Sequence, residues 1–132
     1  MRLYDIESKF TTGEFKCKCD CGFGEFPEHI DENLINKLNM MRMLFDEPMV
    51  VTSGARCKDY NDDIGGKPHS AHLPHVLTGQ CRAVDIKVSN STDRAILLAL
   101  AAHVGFKRIG IAKDFLHFDV AWDLPSPVTF IY

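Results

Sequence analysis

Four of the six histidines in this chain occur in two contexts that restrict how it can fold. Three of them share one polar loop: His69, His72 and His75. Another, His117, lies inside an otherwise apolar, strand-like run, and Asp85 lies in a second run of this kind. A polar side chain in an apolar strand needs a partner, because burying it unsatisfied costs free energy. The fold must therefore satisfy a histidine and an aspartate on strands.

A loop histidine, a strand aspartate and a histidine on a neighbouring strand can converge on one metal ion. Catalytic zinc sites take three protein ligands from His, Asp, Glu or Cys and leave a fourth position for water. The residue pattern by itself leaves two interpretations open. One is a metal site, and the other is a set of loop and core histidines satisfied by ordinary hydrogen bonds.

The hydrophobic periodicity predicts an α+β fold, a small antiparallel sheet with helices packed on it and the metal site at the sheet face. One helix is expected from an N-cap at Asp31 to the residues before Pro48. Another is expected from a cap at Ser91 or Thr92 to Gly105. Strands are expected over 49–52, 83–88, 108–111 and 115–120, with a β-like tail at 128–132 and irregular segments at 1–13 (extended), 14–29 and 58–82.

Length and composition limit the classes of protein. The 132 residues suit a single domain, 1–132, and 45% hydrophobic residues can form a core. A net charge of -3 with scattered basic residues argues against a nucleic-acid partner. No apolar run predicts membrane insertion, and the charged start of the chain does not resemble a signal peptide. We expect a monomer that is synthesised in the cytoplasm.

The five cysteines include the cluster Cys17-x-Cys19-x-Cys21. An odd number of cysteines without a predicted signal peptide argues against a secreted disulfide framework. Structural zinc sites usually space their cysteines two to four residues apart and add a second cluster, which only Cys57 and Cys81 could supply here. The favoured interpretation is reduced cysteines in and beside a turn, with a second zinc as the alternative.

Four separated elements share their order and residue types with a known family. They are Ser53-Gly54-Ala55-Arg56, Ser70-Ala71-His72, Ala83-Val84-Asp85-Ile86 and Phe115-Leu116-His117-Phe118-Asp119. The sequence resembles the M15 family of zinc D,D-carboxypeptidases and L,D-endopeptidases, which cut peptidoglycan peptides, in the compact branch found in phage and prophage enzymes. The segment Glu14-Phe15-x-Cys17 also matches, so the resemblance covers nearly the whole chain.

The resemblance implies that His72, Asp85 and His117 bind one zinc ion per chain. It also implies that Asp114, at the family position three residues before His117, is the general base for the metal-bound water. Asp119 lies on the same strand face as His117. It is either a partner of a ligand histidine or a competing candidate for the base.

The resemblance further assigns two residues to the substrate side of the site. Arg56 matches the arginine that grips a substrate carboxylate or the developing oxyanion. Ser70 supports the loop or contacts substrate. Twelve residues separate His72 from Asp85, where the family usually has six, so His75 remains an alternative ligand.

The expected function is zinc-dependent hydrolysis of amide bonds in peptidoglycan stem peptides. The enzyme would be a D,D-carboxypeptidase or an L-Ala-D-Glu-type endopeptidase, acting on the cell wall after phage-type release or as a virion component. Two alternatives stay open. One is a non-catalytic zinc-binding domain, as in the similar signalling domain of hedgehog proteins, and the other is a virion structural protein with a decayed active site.

Overall fold

The computed structural model describes residues 1–5 and 7–132 of the chain. It has a five-stranded sheet with helices packed on it, so the predicted α+β class is confirmed. The helices are α1 (Thr12–Phe15), α2 (Glu32–Phe45), α3 (Lys58–Asp63) and α4 (Ser91–Val104), with a 3-10 turn at Pro27–His29. The strands are β1 (Val51–Ser53), β2 (Ala83–Lys87), β3 (Arg108–Ile111), β4 (Phe115–Asp119) and β5 (Val128–Ile131).

The strands lie in the order β1-β2-β4-β3-β5. The first three pairings in this order are antiparallel, whereas β5 pairs in parallel with β3. This parallel edge differs from the purely antiparallel sheet that was predicted. It arises because the chain leaves β4 at the end of the sheet where β3 begins, and then crosses to the far side of β3 before it starts β5.

The two faces of the sheet have different chemistry. In the pairing of β2 with β4, Val84 lies opposite Phe118, and these side chains join the hydrophobic cluster that includes α2 and α4. Asp85 lies opposite His117 in the same pairing. Because side chains alternate across a strand, these two point to the face away from α2 and α4. The register therefore separates a buried apolar face from a polar face.

Asparagine, rather than serine or threonine, caps α4. The Asn90 side chain accepts a hydrogen bond from the Asp93 backbone N–H at 2.8 Å, so the predicted cap at Ser91 or Thr92 was placed one or two residues too late. At α2 the predicted cap is confirmed, because Asp31 Oδ1 accepts from the Leu34 N–H at 3.0 Å.

Two short helices lie where irregular or extended chain was predicted. In α1, the Glu14 carboxylate accepts a hydrogen bond from the Thr11 N–H at 3.0 Å, which is half of a capping box. At the start of α3, Cys57 Sγ accepts from the Tyr60 N–H at 3.4 Å. Cysteine is an unusual cap, so local sequence signals for α3 were weak. Within the described residues, no helix combines the length and apolar character needed to cross a bilayer.

Candidate active site

Three side chains from separate parts of the chain converge on the polar face of the sheet. The candidate ligand atoms of His72, Asp85 and His117 all lie within 4.8 Å of one another. His72 Nε2 lies 3.2 Å and His117 Nδ1 lies 3.0 Å from the same oxygen, Asp85 Oδ1. All three residues are buried, with relative exposures of 2%, 5% and 5%. The structure thus brings together the three residues named as metal ligands.

The loop that carries His72 is anchored on both sides by backbone hydrogen bonds. The Arg56 N–H donates to the His72 carbonyl oxygen at 3.0 Å, and the Arg82 N–H donates to the Ala71 carbonyl oxygen at 2.9 Å. Strand pairing fixes the backbone of the other two residues, because Asp85 and His117 are direct neighbours on β2 and β4. The backbone therefore fixes where all three side chains start.

The outer nitrogen of each imidazole is already engaged. His72 Nδ1 donates to the Gly54 carbonyl oxygen at 2.6 Å, and His117 Nε2 donates to Asp119 Oδ2 at 2.6 Å. His72 Nε2 and His117 Nδ1 are the ring nitrogens that face Asp85, and they are the ones available as metal ligands. Metal-binding histidines are oriented in this way by carbonyl and carboxylate partners. Two imidazole nitrogens and one carboxylate oxygen are also the donor set of a three-ligand zinc site, so the residues fit this metal.

Asp119 is held from three directions. Besides His117, its carboxylate accepts hydrogen bonds from Arg108 Nε at 2.8 Å and from the Ala121 N–H at 3.1 Å. The residue is only 2% exposed. This geometry suits a group that positions His117. Sequence reasoning missed Arg108, because its place opposite Asp119 depends on the pairing of β3 with β4.

Arg56 packs against the three candidate ligands and is not a solvated loop arginine. Its Nη2 lies 3.2 Å from Asp85 Oδ2, and its side chain is 13% exposed. Its Nε donates to Ser53 Oγ at 2.9 Å, and its Nη1 donates to Asn61 Oδ1 at 3.3 Å. Asn61, which sequence reasoning also missed, is 1% exposed and donates to the Lys67 carbonyl oxygen at 2.9 Å. Arg56 is therefore fixed with its guanidinium beside one of the candidate ligands.

The buried charges at this site influence one another. Burial lowers the pKa of His72, and hydrogen bonding to Asp85 offsets this only in part. Burial acts in the same direction on His117, but its hydrogen bonds with Asp119 and Asp85 prevail and raise its pKa. Burial would raise the pKa of Asp85, yet hydrogen bonds from both histidines hold it below its usual range. Since metal ligands must be deprotonated, a metal ion bound here would compete with protonation of the two histidines.

The group opens onto a cleft of about 710 Å³. Ser70 lines the cleft, and its Oγ accepts a hydrogen bond from the His72 N–H at 3.2 Å, so it supports the ligand loop. Asp114 is exposed in the turn before β4 and does not belong to the described residues that line the cleft. Its neighbour Phe115 does line the cleft, which places Asp114 next to the rim.

The other two histidines of the polar loop lie apart from the three candidate ligands. His75 Nε2 pairs with Asp123 Oδ2 at 3.0 Å, and the His75 ring packs edge-on against Trp122 with 5.3 Å between ring centroids. His69 lines the cleft but does not share the close grouping of His72 with Asp85. In the described structure, the longer segment between His72 and Asp85 therefore gives His75 a separate partner.

Aromatic residues of the C-terminal strand cover part of the site. The Phe130 ring lies 5.4 Å from the His117 ring between centroids. This packing is possible because residue 110, opposite His117 on β3, is a glycine. A Cβ at residue 110 would lie 2.5 Å from Phe130 Cε2, 2.8 Å from Tyr132 Cε2 and 3.0 Å from His117 Cβ. The glycine thus allows β5 to close against the histidine.

We expect Gly110→Ala to destabilise the fold by about 1–3 kcal/mol, because the added methyl group forces the rings of β5 away from His117. Chemical denaturation monitored by circular dichroism measures the change in the free energy of unfolding. Gly13→Ala is the matched control, since a Cβ at residue 13 would meet nothing closer than 3.7 Å. Equal stability of the two variants would contradict the proposed contact.

Comparison with known proteins agrees with this geometry. A search of the curated proteins found no significant match. A protein-family model described as Peptidase M15 matches residues 8–119, which include all three candidate ligands together with Arg56 and Asp114. Since this match covers most of the chain, the protein belongs to the M15 family of metallopeptidases.

Proposed function

We propose that this peptidase hydrolyses amide bonds in peptidoglycan stem peptides, with one catalytic zinc ion bound by His72, Asp85 and His117. The observation that carries the proposal is the converging group of three donors. Both imidazoles are held by outer hydrogen bonds with their other ring nitrogens facing Asp85, and the three residues open onto a cleft. A purely structural zinc site would be closed by a fourth protein ligand.

Zinc, when bound, supplies a water of lowered pKa and a Lewis acid for the substrate carbonyl. The protein's own residues orient and neutralise charge around it. Arg56, fixed by Ser53 and Asn61, places a permanent positive charge beside the site. A charge in this position stabilises an oxyanion or holds a substrate carboxylate. Asp114 is the proposed proton acceptor, supported by its match to the family position three residues before His117.

The lining of the cleft supports a peptide substrate that carries carboxylates. Three cationic side chains line it, Arg56, Lys67 and Arg108, and apolar contacts come from Leu124, Phe130 and Tyr132. Stem peptides combine free carboxylates with small apolar side chains. The proposed reaction is cleavage of the terminal D-Ala-D-Ala bond or of the L-Ala-D-Glu bond. Access to the wall would follow phage-type release or delivery with a virion.

Mass spectrometry of purified peptidoglycan after digestion tests this proposal. A D,D-carboxypeptidase releases single alanine residues, whereas the endopeptidase splits the stem after its first residue and leaves the rest as a tetrapeptide or shorter. We expect one of these two product sets, and its disappearance in metal-free protein. Muropeptides that remain intact while the protein binds them would instead indicate a non-catalytic binding domain.

A further inference from the structure

Four of the five cysteines form a cluster that the peptidase chemistry does not use. The sulfur atoms of Cys17, Cys19, Cys21 and Cys57 all lie within 4.8 Å of one another. Cys17 Sγ lies 3.4 Å from Cys19 Sγ, which in turn lies 3.5 Å from Cys57 Sγ. These separations are far longer than a disulfide bond of about 2.05 Å, and all four cysteines are free thiols.

We propose that this cluster binds a second zinc ion, which has a structural role. Zinc lies about 2.3 Å from each thiolate in a tetrahedral site, so its sulfur ligands are separated by about 3.8 Å. The two closest separations, 3.4 and 3.5 Å, are slightly shorter than that distance, and all four sulfurs lie within 4.8 Å of one another, so small side-chain movements would accommodate one ion. Four protein ligands fill the tetrahedron and leave no position for water or substrate, which is typical of structural zinc sites.

The close spacing of the first three cysteines is explained by the path of the backbone. The Cys17 N–H donates to the Phe23 carbonyl oxygen at 2.8 Å, and the Asp20 N–H donates to the Cys17 carbonyl oxygen at 3.2 Å. Asp20 and Gly22 both have positive φ, at 61° and 97°. The chain therefore turns back tightly between Cys17 and Phe23. This turn gathers three sulfurs on one side, although the one-residue spacing is unusual for a zinc site.

Backbone N–H groups already point at two of the sulfurs. The Cys57 N–H donates to Cys17 Sγ at 3.4 Å, and the Tyr60 N–H donates to Cys57 Sγ at 3.4 Å. Hydrogen bonds of this kind favour the thiolate form that a metal requires. The cluster is thus organised by both segments of the backbone that contribute to it.

The position of the four cysteines indicates what a bound zinc ion would stabilise. Residues 16–26 contain neither helix nor strand, and the fourth ligand, Cys57, directly follows Arg56. A zinc ion would link this irregular segment to the start of α3, whose Asn61 holds the Arg56 guanidinium. We infer that the second zinc stabilises the segment on which Arg56 and α3 depend, a role independent of the proposed substrate.

Metal content and cobalt spectroscopy test the proposal on the intact protein. The wild type, purified with reductant and without chelator, should contain two zinc ions per chain. Protein reconstituted with Co²⁺ should show intense thiolate-to-cobalt charge-transfer absorption, which two histidines and one aspartate cannot give. His72→Ala should lose one metal ion and keep this absorption, whereas loss of two thiolates in Cys17→Ser/Cys57→Ser should abolish the absorption.

Cys81→Ala is the matched control, because Cys81 is fully buried elsewhere and its thiol donates to the Ala83 carbonyl oxygen. This variant should keep both metal ions and the full charge-transfer absorption. A wild-type protein with one zinc and no thiolate-to-cobalt absorption would overturn the proposal without any variant. Fewer than five free thiols in protein unfolded under non-reducing conditions with a chelator would also overturn it, in favour of disulfides.

Discussion

Replacing His72 with alanine is expected to abolish hydrolysis of peptidoglycan peptides and to remove the metal ion of the active site. Two donors, Asp85 and His117, would remain, and zinc sites of catalytic type need three. The Gly54 carbonyl oxygen, which now accepts from His72 Nδ1 at 2.6 Å, would also lose its partner. Since the metal supplies several kcal/mol of transition-state stabilisation, the rate should fall by about 10³-fold or more.

His75→Ala is the matched control for this loss. His75 lies three residues further along the same loop and is also buried, but its partner is Asp123 rather than Asp85. This variant should keep the metal at the active site and most of the hydrolytic rate. The assignment of His72 would be wrong if His75→Ala lost that metal while His72→Ala retained it. Zinc analysis of both purified variants and a turnover assay distinguish these outcomes.

Local patterns in the sequence were sufficient for most of the fold. The apolar spacing along α2 and the alternation along β2 each reflect burial of one face, which a sequence records directly. The parallel pairing of β5 with β3 could not be read in this way, because the strand pattern of residues 128–131 is the same for either direction. The direction depends on where the chain crosses the end of the sheet.

In the candidate site, too, local patterns indicate some residues, and tertiary contacts determine the others. His72, Asp85 and His117 could be named from polar residues in apolar or loop contexts together with the family motif. The residues that hold these three in place could not be named in this way. Arg108 meets Asp119, and Asn61 meets Arg56, only through tertiary contacts. The cysteine cluster is the clearest case. Its sequence spacing argued against a metal site, and only the tight turn and the distant Cys57 complete the set.

The second large effect is expected at Asp114. The two carboxylates that line the cleft already have hydrogen-bond and ion-pair partners. Asp85 faces both histidines and Arg56, and Asp119 bonds to His117 and Arg108. In Asp119, burial favours the neutral form, but the hydrogen bond from His117 and the charges around it hold the pKa below its usual range. A carboxylate stabilised in its charged form is a weak proton acceptor.

The Asp114 carboxylate, in contrast, has no such partners among the described residues. Its side chain makes no hydrogen bond or ion pair with any described residue, and its backbone is fixed at the rim by the Val88 N–H, which donates to the Asp114 carbonyl oxygen at 3.0 Å. We therefore expect Asp114→Ala to lower the hydrolytic rate by about 10²–10⁴-fold, the usual contribution of a general base. Zinc content should stay unchanged, because the side chain is not a ligand.

Asp119→Ala separates a proton acceptor from a positioning residue. Loss of the partner of His117 Nε2 should weaken zinc binding by about 10–100-fold, so the activity of this variant should recover as free zinc is raised. Asp114→Ala should stay slow at saturating zinc, since added metal cannot replace a proton acceptor. If Asp114→Ala were fully active under those conditions, the acceptor would have to be a residue that lines the cleft, such as Asp119 or His69, and the rim carboxylate would have no part in the chemistry.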